Sequence, residues 1–357
     1  MISNKTIFNS DWNNVSLEEM GEFSRGKSKH RPRDAKELFG GKYPFIQTGD
    51  IKEANLHVDR FSRTYSEFGL AQSKLWQKNT LCITIAANIA ETAILKFDAC
   101  FPDSVVGFRS YEDKSDVYFM HYLFCFIKKK IQKATSGSVQ DNINLAFLKK
   151  LRLQIPSLEE QKKIATILMN IDNKIELNNE INKTLEEMAK SIFKRWFVDF
   201  DFPNEYGEPY KSSGGEMIES ELGIIPNGWE IKSIDDITSK FTTGLNPRKN
   251  FVLGQGENYY VTIKNMSSQG VILDDKCDKI DDAAIEIINK RSNLQKGDIL
   301  FSAIGTIGRV YLIDETPKNW NISESIFTLR PSKDVTSEYL YLLMSSSELQ
   351  GYAKQLA

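Results

Sequence analysis

Residues 157–197 read SLEEQKKIATILMNIDNKIELNNEINKTLEEMAKSIFKRWF, and the architecture turns on this stretch. Ile155-Pro156 precedes it. The residue before a proline avoids the helical region, so an extended segment ends there. Ser157 followed by Glu160 is a capping-box pattern, and the acidic Glu159 and Glu160 suit the positive end of a helix. Steps of four and three then run through Ile164, Leu168, Ile171, Ile175, Asn178, Asn182, Leu185, Ala189, Ile192 and Trp196. No glycine or proline interrupts this heptad seam. At about 1.5 Å per residue, the rod would be roughly 60 Å long. A rod of that length overshoots a small domain, so it is expected to pair with another helix rather than lie on its own domain. Asn178 and Asn182 make a polar layer of the kind that fixes register, and a phase slip onto Ile181 is the alternative.

On either side of the helix the chain repeats itself. Ser16-Leu17-Glu18-Glu19-Met20 is echoed by Ser233-Ile234-Asp235-Asp236-Ile237, and Phe23-Ser24-Arg25-Gly26 by Phe241-Thr242-Thr243-Gly244. Tyr43–Ile51 resembles Asn258–Met266. Lys78–Thr84 aligns with Lys296–Ser302, Asp103–Val106 with Glu324–Phe327, and Asp116–Met120 with Ser337–Tyr341. Matches in one unbroken order indicate a duplication. Each copy reads as mixed structure. Leu81–Ile85, Val105–Phe108, Ile299–Ala303 and Ile326–Leu329 are strand-like, and Asp116–Lys130 is a helix with a cationic end. The fold class is therefore α/β (α+β). The expected order is a first domain at 1–150, the long helix at 151–200, a linker at 201–225 rich in Gly, Pro, Ser and acids, and a second domain at 226–357.

The whole chain has 46 Lys+Arg against 48 Asp+Glu among 357 residues, but the charge is unevenly placed. Residues 1–150 carry 22 basic and 17 acidic side chains, and residues 201–357 carry 16 and 23, so the first domain is the better candidate for a polyanionic partner. Cys82, Cys100, Cys125 and Cys277 form no C-x-x-C pair, and the three histidines fall in no zinc spacing, so neither a disulfide framework nor a metal site is expected. Met1–Asn14 has no apolar signal core. The longest apolar run, Leu81–Ala90, is about half a membrane span. A cytoplasmic protein with no membrane partner is the default.

Gln154-Ile155-Pro156-Ser157-Leu158-Glu159-Glu160-Gln161-Lys162-Lys163-Ile164 resembles the opening of the conserved helical region in specificity (S) subunits of type I restriction–modification systems. Trp196-Phe197-Val198-Asp199-Phe200 leading to Ser220–Trp229 is similar to the segment that follows it. Gln47–Ile51, Lys296–Leu300 and Gly305-Thr306-Ile307-Gly308 resemble parts of the target-recognition domains. The resemblance covers the whole chain. It implies two target-recognition domains, each reading one half of a split double-stranded DNA target. It also implies helices that dock two methyltransferase (M) subunits, with restriction (R) subunits joining that core. S-adenosylmethionine, ATP and Mg would be bound in those partners, and this chain would hold no cofactor or metal. In the family a second long helix follows the second domain, whereas here the second copy reaches only the counterpart of Ser136 by Ala357. The seam is therefore expected to pair with another chain, a second S chain or a half-S chain.

The first basic loop holds Arg25, Lys27, Lys29, Arg31 and Arg33. Cations on a loop suit phosphate contacts, although the same composition also describes a solvated loop. Arg248 and Lys249 occupy the matching loop of the second copy. Gln47 and Thr48 follow a strand, and glutamine can contact adenine in the major groove, although a lone glutamine is more often a surface residue. Ser136, Ser138, Gln140 and Asn142 form a polar loop before the long helix, open to a turn-and-cap reading or a DNA-facing one. Lys264, Asn265 and Arg309 are the second copy's candidates.

Catalytic signatures are missing from the sequence. There is no N-P-P-[YF] or D-P-P-[YF] tetrapeptide, no glycine-rich cofactor loop after a strand and no P-loop. No catalytic residue is assigned. The leading expectation is a non-catalytic DNA-recognition subunit. The rivals are a self-contained DNA enzyme such as a nuclease, and a coiled-coil adaptor that has lost DNA recognition.

Overall fold

The computed structural model describes residues 12–86, 88–135, 144–267 and 270–355. The chain divides into two compact units, Met1–Glu180 and Ile181–Ala357, the division falling inside the long helix. The mixed α/β character expected from the sequence holds in both.

The strands of the first unit are β1 (Asn13–Ser16), β2 (Gly21–Arg25), β3 (Phe39–Phe45), β4 (His57–Val58), β5 (Arg63–Tyr65), β6 (Leu75–Trp76), β7 (Leu81–Thr84), β8 (Thr92–Leu95), β9 (Ala99–Cys100), β10 (Val105–Ser110) and β11 (Arg152–Ile155). One sheet runs β2-β10-β7-β8-β4 and another β5-β3-β9-β6. Side chains alternate across a strand, and both faces of the first sheet are covered. Leu81, Ile83, Val106 and Phe108 join the Val117–Thr135 helix through Phe119, Met120, Leu123 and Phe124. Cys82, Val105, Ala93 and Leu95 face the other way, onto Ile46, Trp76 and Phe101. β1 pairs antiparallel with β11, which ties the start of the unit to the segment entering the long helix.

The second unit contains β12 (Met217–Ser220), β13 (Gly223–Pro226), β14 (Thr238–Thr243), β15 (Asn258–Val261), β16 (Met266–Ser267), β17 (Gly270–Val271), β18 (Asp278–Ile280), β19 (Ile299–Ser302), β20 (Val310–Leu312), β21 (Trp320–Ile322) and β22 (Ile326–Pro331). Its sheets run β14-β22-β19-β20 and β18-β15-β21. The shared core order repeats that of the first unit, β14-β22-β19-β20 matching β2-β10-β7-β8 and β18-β15-β21 matching β5-β3-β9, down to the parallel pairs β3–β9 and β15–β21; β4 and β6, at the edges of the first unit's sheets, have no counterpart among the described residues.

The duplication extends to single atoms. Ser16 and Glu19 cap the turn after β1, with the Ser16 N–H donating to Glu19 Oε1 at 2.8 Å; Ser233 and Asp236 repeat this at 2.9 Å. Thr84 Oγ1 donates to the Asn88 carbonyl and accepts from the Glu91 N–H at 3.0 Å. Ser302 Oγ donates to the Thr306 carbonyl at 2.7 Å and accepts from the Arg309 N–H at 2.8 Å. The turns entering β7 and β19 need a left-handed residue, supplied by Asn79 (φ 65°) and by Gly297 (φ 88°).

The long helix runs Leu158–Phe193 without a break and ends in a π-type turn, Lys194–Val198. Ser157 Oγ accepts from the Glu160 N–H at 3.3 Å, so the expected cap is present. The seam is only partly spent inside the chain. Ile164 packs on the first unit's core and Leu168 is half-buried, but Ile171, Ile175 and Leu185 are 51%, 52% and 56% exposed. Asn178, Asn182, Ile192 and Trp196 are exposed too, as is Ile181. Residues 201–225, expected as a linker, fold locally instead. β12 and β13 form a hairpin, and Phe202 stacks on Tyr210 at 4.7 Å and on Trp229 at 5.4 Å. The polar composition is real, but three aromatic rings order the segment around it.

Candidate nucleic-acid interface

The basic loop of the first unit leaves β2 at Arg25 and returns to β3. Its backbone is fixed first. Gly26 N–H donates to the Val105 carbonyl at 2.9 Å and Lys27 N–H to the Phe101 carbonyl at 3.1 Å. Gln72 Oε1 accepts from the N–H groups of Lys29 at 2.5 Å and His30 at 3.0 Å, and Ser73 Oγ donates to the Lys27 carbonyl at 2.8 Å. The His30 ring packs edge-on to Phe68 at 5.4 Å. This scaffold leaves Arg25, Lys27, Lys29, Arg31 and Arg33 exposed. Arg31 Nη1 bonds the Ser28 and His30 carbonyls, both at 2.8 Å, which stiffens the loop. Arg33 pairs with Asp103 at 2.9 Å, both side chains being nearly half exposed. Such a pair is worth at most about 1 kcal/mol and yields readily to a phosphate.

The matching loop of the second unit presents Arg248 and Lys249, both exposed. It is held by the Tyr260 hydroxyl, which donates to the Leu245 carbonyl at 2.8 Å, and by Asn250 Nδ2 on the Asn246 carbonyl at 2.9 Å.

Other candidates have structural work to do. Gln47 caps the helix Thr48–Glu53, its own N–H bonding Asp50 Oδ2 at 2.7 Å. Thr48 is the first helical residue, half-buried. In the second unit Thr262 and Asn265 make the same turn, with Asn265 Oδ1 accepting from the Thr262 N–H at 3.0 Å and hydroxyl at 2.9 Å. The polar residues of this shared motif serve a cap in both copies. Arg309 Nη1 donates to the Ile263 carbonyl at 2.8 Å and to the Met266 carbonyl, bridging two loops. Lys264 is exposed beside them. Ser136, Ser138, Gln140 and Asn142 lie outside the described residues.

Sequence reasoning missed two cations, Lys74 beside β6 and Arg109 on β10. Both line a cleft with Glu22, Ser24 and Trp76. Local sequence holds no signal for them, because strand pairing brings them together: Arg109 lies opposite Glu22 in the β2–β10 ladder.

A second cleft in the first unit, about 770 Å³, is lined by His57, His121, Tyr122, Cys125 and Asp172. The Tyr122 hydroxyl donates to Asp172 Oδ2 at 2.6 Å. His121 is 2% exposed, with Nδ1 3.1 Å from Thr92 Oγ1 and Nε2 3.6 Å from Cys125 Sγ. Burial pushes the imidazole down to about 4, against a smaller opposing pull from Asp172, and burial pushes the Cys125 thiol up. An activated thiolate–imidazolium pair needs the opposite shifts, so this pair, a buried His121 against an exposed Cys125, is not a primed nucleophile. It carries a prediction. The folded value lies below the ordinary 6.5, so the unfolded chain takes the proton first. Stability of the first unit should fall as pH drops below about 6.5, by up to about 1.4 kcal/mol per unit, and level off near 4. Urea midpoints at pH 7 and pH 5, compared with H121Q, check this. An equal acid loss in H121Q would assign the effect elsewhere.

Among the described residues no group of three or more His, Cys, Asp or Glu could hold a metal, and no helix is long and apolar enough to cross a membrane.

The profile of the family described as the type I restriction modification DNA specificity domain matches residues 9–187 and 226–355. The specificity subunit of the MjaIX type I restriction enzyme of Methanocaldococcus jannaschii is 29% identical over 265 residues; the match covers 72% of this chain and 58% of that protein. The HindI specificity subunit of Haemophilus influenzae is 25% identical over 408 aligned positions, covering 98% and 85%. The crystal structure of an S subunit from M. genitalium has the same fold, with a TM-score of 0.53 at 17% identity over 98% of this chain and 80% of that one. The two segments of the profile match fall on the two repeated units, and the chain belongs to the type I restriction modification DNA specificity domain family.

Proposed function

We propose that this chain is the DNA-recognition subunit of a type I restriction–modification complex. Its two recognition domains read the two parts of a bipartite duplex target, and the long helix sets the gap between them. The observation that carries this reading is the duplication itself: one α/β unit built twice, each copy with an anchored loop that offers unspent cations. Loop cations give affinity and position, and base choice falls to neighbouring variable loops. M subunits dock on the helix and R subunits join them in the cytoplasm, and the partners hold S-adenosylmethionine, ATP and Mg. Co-expression with the M subunit, followed by mapping of methylated positions, tests the reading. A two-part motif with a fixed spacer is expected. A palindrome would mean paired copies using one domain each, and turnover of DNA by the isolated chain would overturn the proposal.

The exposed seam favours an added role in assembly. Its occupant is an M-subunit helix or the helix of a second S or half-S chain. I171E, I175E and L185E should each move the chain's own stability by less than about 0.5 kcal/mol, since these side chains are already in water. The same changes should abolish co-purification with whichever chain fills the seam, the M subunit or a differently tagged second S chain. A large fall in melting temperature would instead place the seam inside the chain's own core.

A further inference from the structure

We infer that the cleft between β2, β6 and β10 receives a phosphodiester of the DNA backbone, with Lys74 as its inner cation and Arg109 as the second cation of its lining. The inference rests on the DNA-recognition reading and deepens it. The cleft measures about 390 Å³.

Lys74 is an unusual surface lysine. It is half-buried, its ammonium sits 3.6 Å from the centre of the Trp76 ring, and it donates to Ser24 Oγ at 3.3 Å. Trp76 is a rigid platform. It is 3% exposed, stacks on Phe101 at 5.0 Å, and lies so flat on β10 that a Cβ at Gly107 would meet its ring at 2.6 Å. The ring therefore fixes where the charge stands.

Its surroundings oppose that charge. Desolvation, then Lys27, lower its proton affinity; Arg109 adds to this and Glu22 only partly offsets it. No carboxylate among the described residues lies within ion-pair distance of Lys74. A pre-positioned, partly desolvated cation near two others has Glu22 in the same cleft but no carboxylate paired with it, and a phosphodiester oxygen supplies a direct partner through a charge-assisted hydrogen bond. The Ser73 hydroxyl bonds the Lys27 carbonyl at 2.8 Å, so the basic loop is tied to the residue next to Lys74.

The full chain and a mixed-sequence duplex test this. K74Q should weaken binding about 5- to 10-fold at low salt, and equally for all sequences, while lowering the slope of log K against log salt by about 0.9. K74R should restore the slope, and R109Q should reproduce the loss. In the unaltered protein, duplex should shield Lys74 from an amine-acylating reagent, read by mass spectrometry, so the result stands even if a variant folds poorly. An unchanged slope in folded K74Q, or equal labelling with and without duplex, would overturn the inference alone. Shielding by inorganic phosphate but not by duplex would do so too, and make the cleft a small-anion site. Failure of the unaltered chain to bind any duplex would overturn the DNA-recognition reading with it.

Discussion

Gly26→Ala should destabilise the first unit and Gly244→Ala the second, each change leaving the other unit's core intact. Both glycines end the first long strand of their sheet, at a point where two backbone segments cross. A Cβ on Gly26 would collide with the carbonyl oxygens of Phe101 and Pro102. A Cβ on Gly244 would collide with the carbonyls of Ile322 and Ser323, the residues in the same place of the second copy. Both approaches are under 3.0 Å, which real Cβ atoms essentially never show. A flexible side chain could swing aside, but a carbonyl cannot move without its strand. The strand that would move is also hydrogen-bonded, through Gly26 N–H to Val105 and Gly244 N–H to Ile326. Overpacking commonly costs about 1–3 kcal/mol, and the backbone obstruction places these changes at or above the top of that range. At about 2–4 °C per kcal/mol, the affected unit should melt at least roughly 6 °C lower. Peptide-resolved hydrogen exchange is the measurement. Protection should fall in β2 and β10 in G26A and in β14 and β22 in G244A. Wild-type protection in both variants would mean that the crossing is looser than described, and the basic loops that start there would then lack a fixed base.

The same glycines show what the sequence could and could not reveal. Phe23-Ser24-Arg25-Gly26 and Phe241-Thr242-Thr243-Gly244 identify the repeat, but nothing local says that the terminal glycine lies under another strand. The long helix was legible throughout, because periodicity, a cap and the lack of breakers are local properties. What covers its seam was not legible, since a heptad defines a face and not its occupant. Ile164 turned out to belong to the first unit's core, whereas Ile171 onward faces water. Polar side chains that read bases are the same types that cap helices, so sequence alone offers Gln47 and Asn265 for DNA contact. The structure uses both in caps, through one turn repeated in the two units. Lys74 and Arg109 were missed for the complementary reason: they meet through strand register across tens of residues. The aromatic order of residues 201–225 was hidden by their Gly, Pro and Ser content, because composition does not say which rings will stack.

Asp298→Ala should destabilise the second unit by about 3–5 kcal/mol, the range for stranding one partner of a buried ion pair. Asp298 is 0% exposed. Arg330 grips it with two nitrogens, Nε on Oδ1 at 2.7 Å and Nη2 on Oδ2 at 2.9 Å, and Oδ2 also accepts from the Gln295 N–H at 2.8 Å. Lys240 lies within its field. Burial and Arg330 lower that lysine's proton affinity, and Asp298 partly offsets them. Removing the carboxylate leaves two cations facing each other in a half-buried site and orphans a backbone donor in the turn before β19. The first unit solves the same turn without charge, with Thr80 Oγ1 donating to the Gln77 carbonyl at 2.6 Å. The fold therefore does not require an ion pair at this position; the second unit requires that its arginine be matched. It follows that Asp298→Ala combined with Arg330→Met should recover much of the loss, since the stranded charge goes with its partner. Urea unfolding of the single and double variants decides between the two accounts. A double variant as unstable as Asp298→Ala alone would show that the lost carboxylate–Gln295 bond, and not the unmatched arginine, sets the cost.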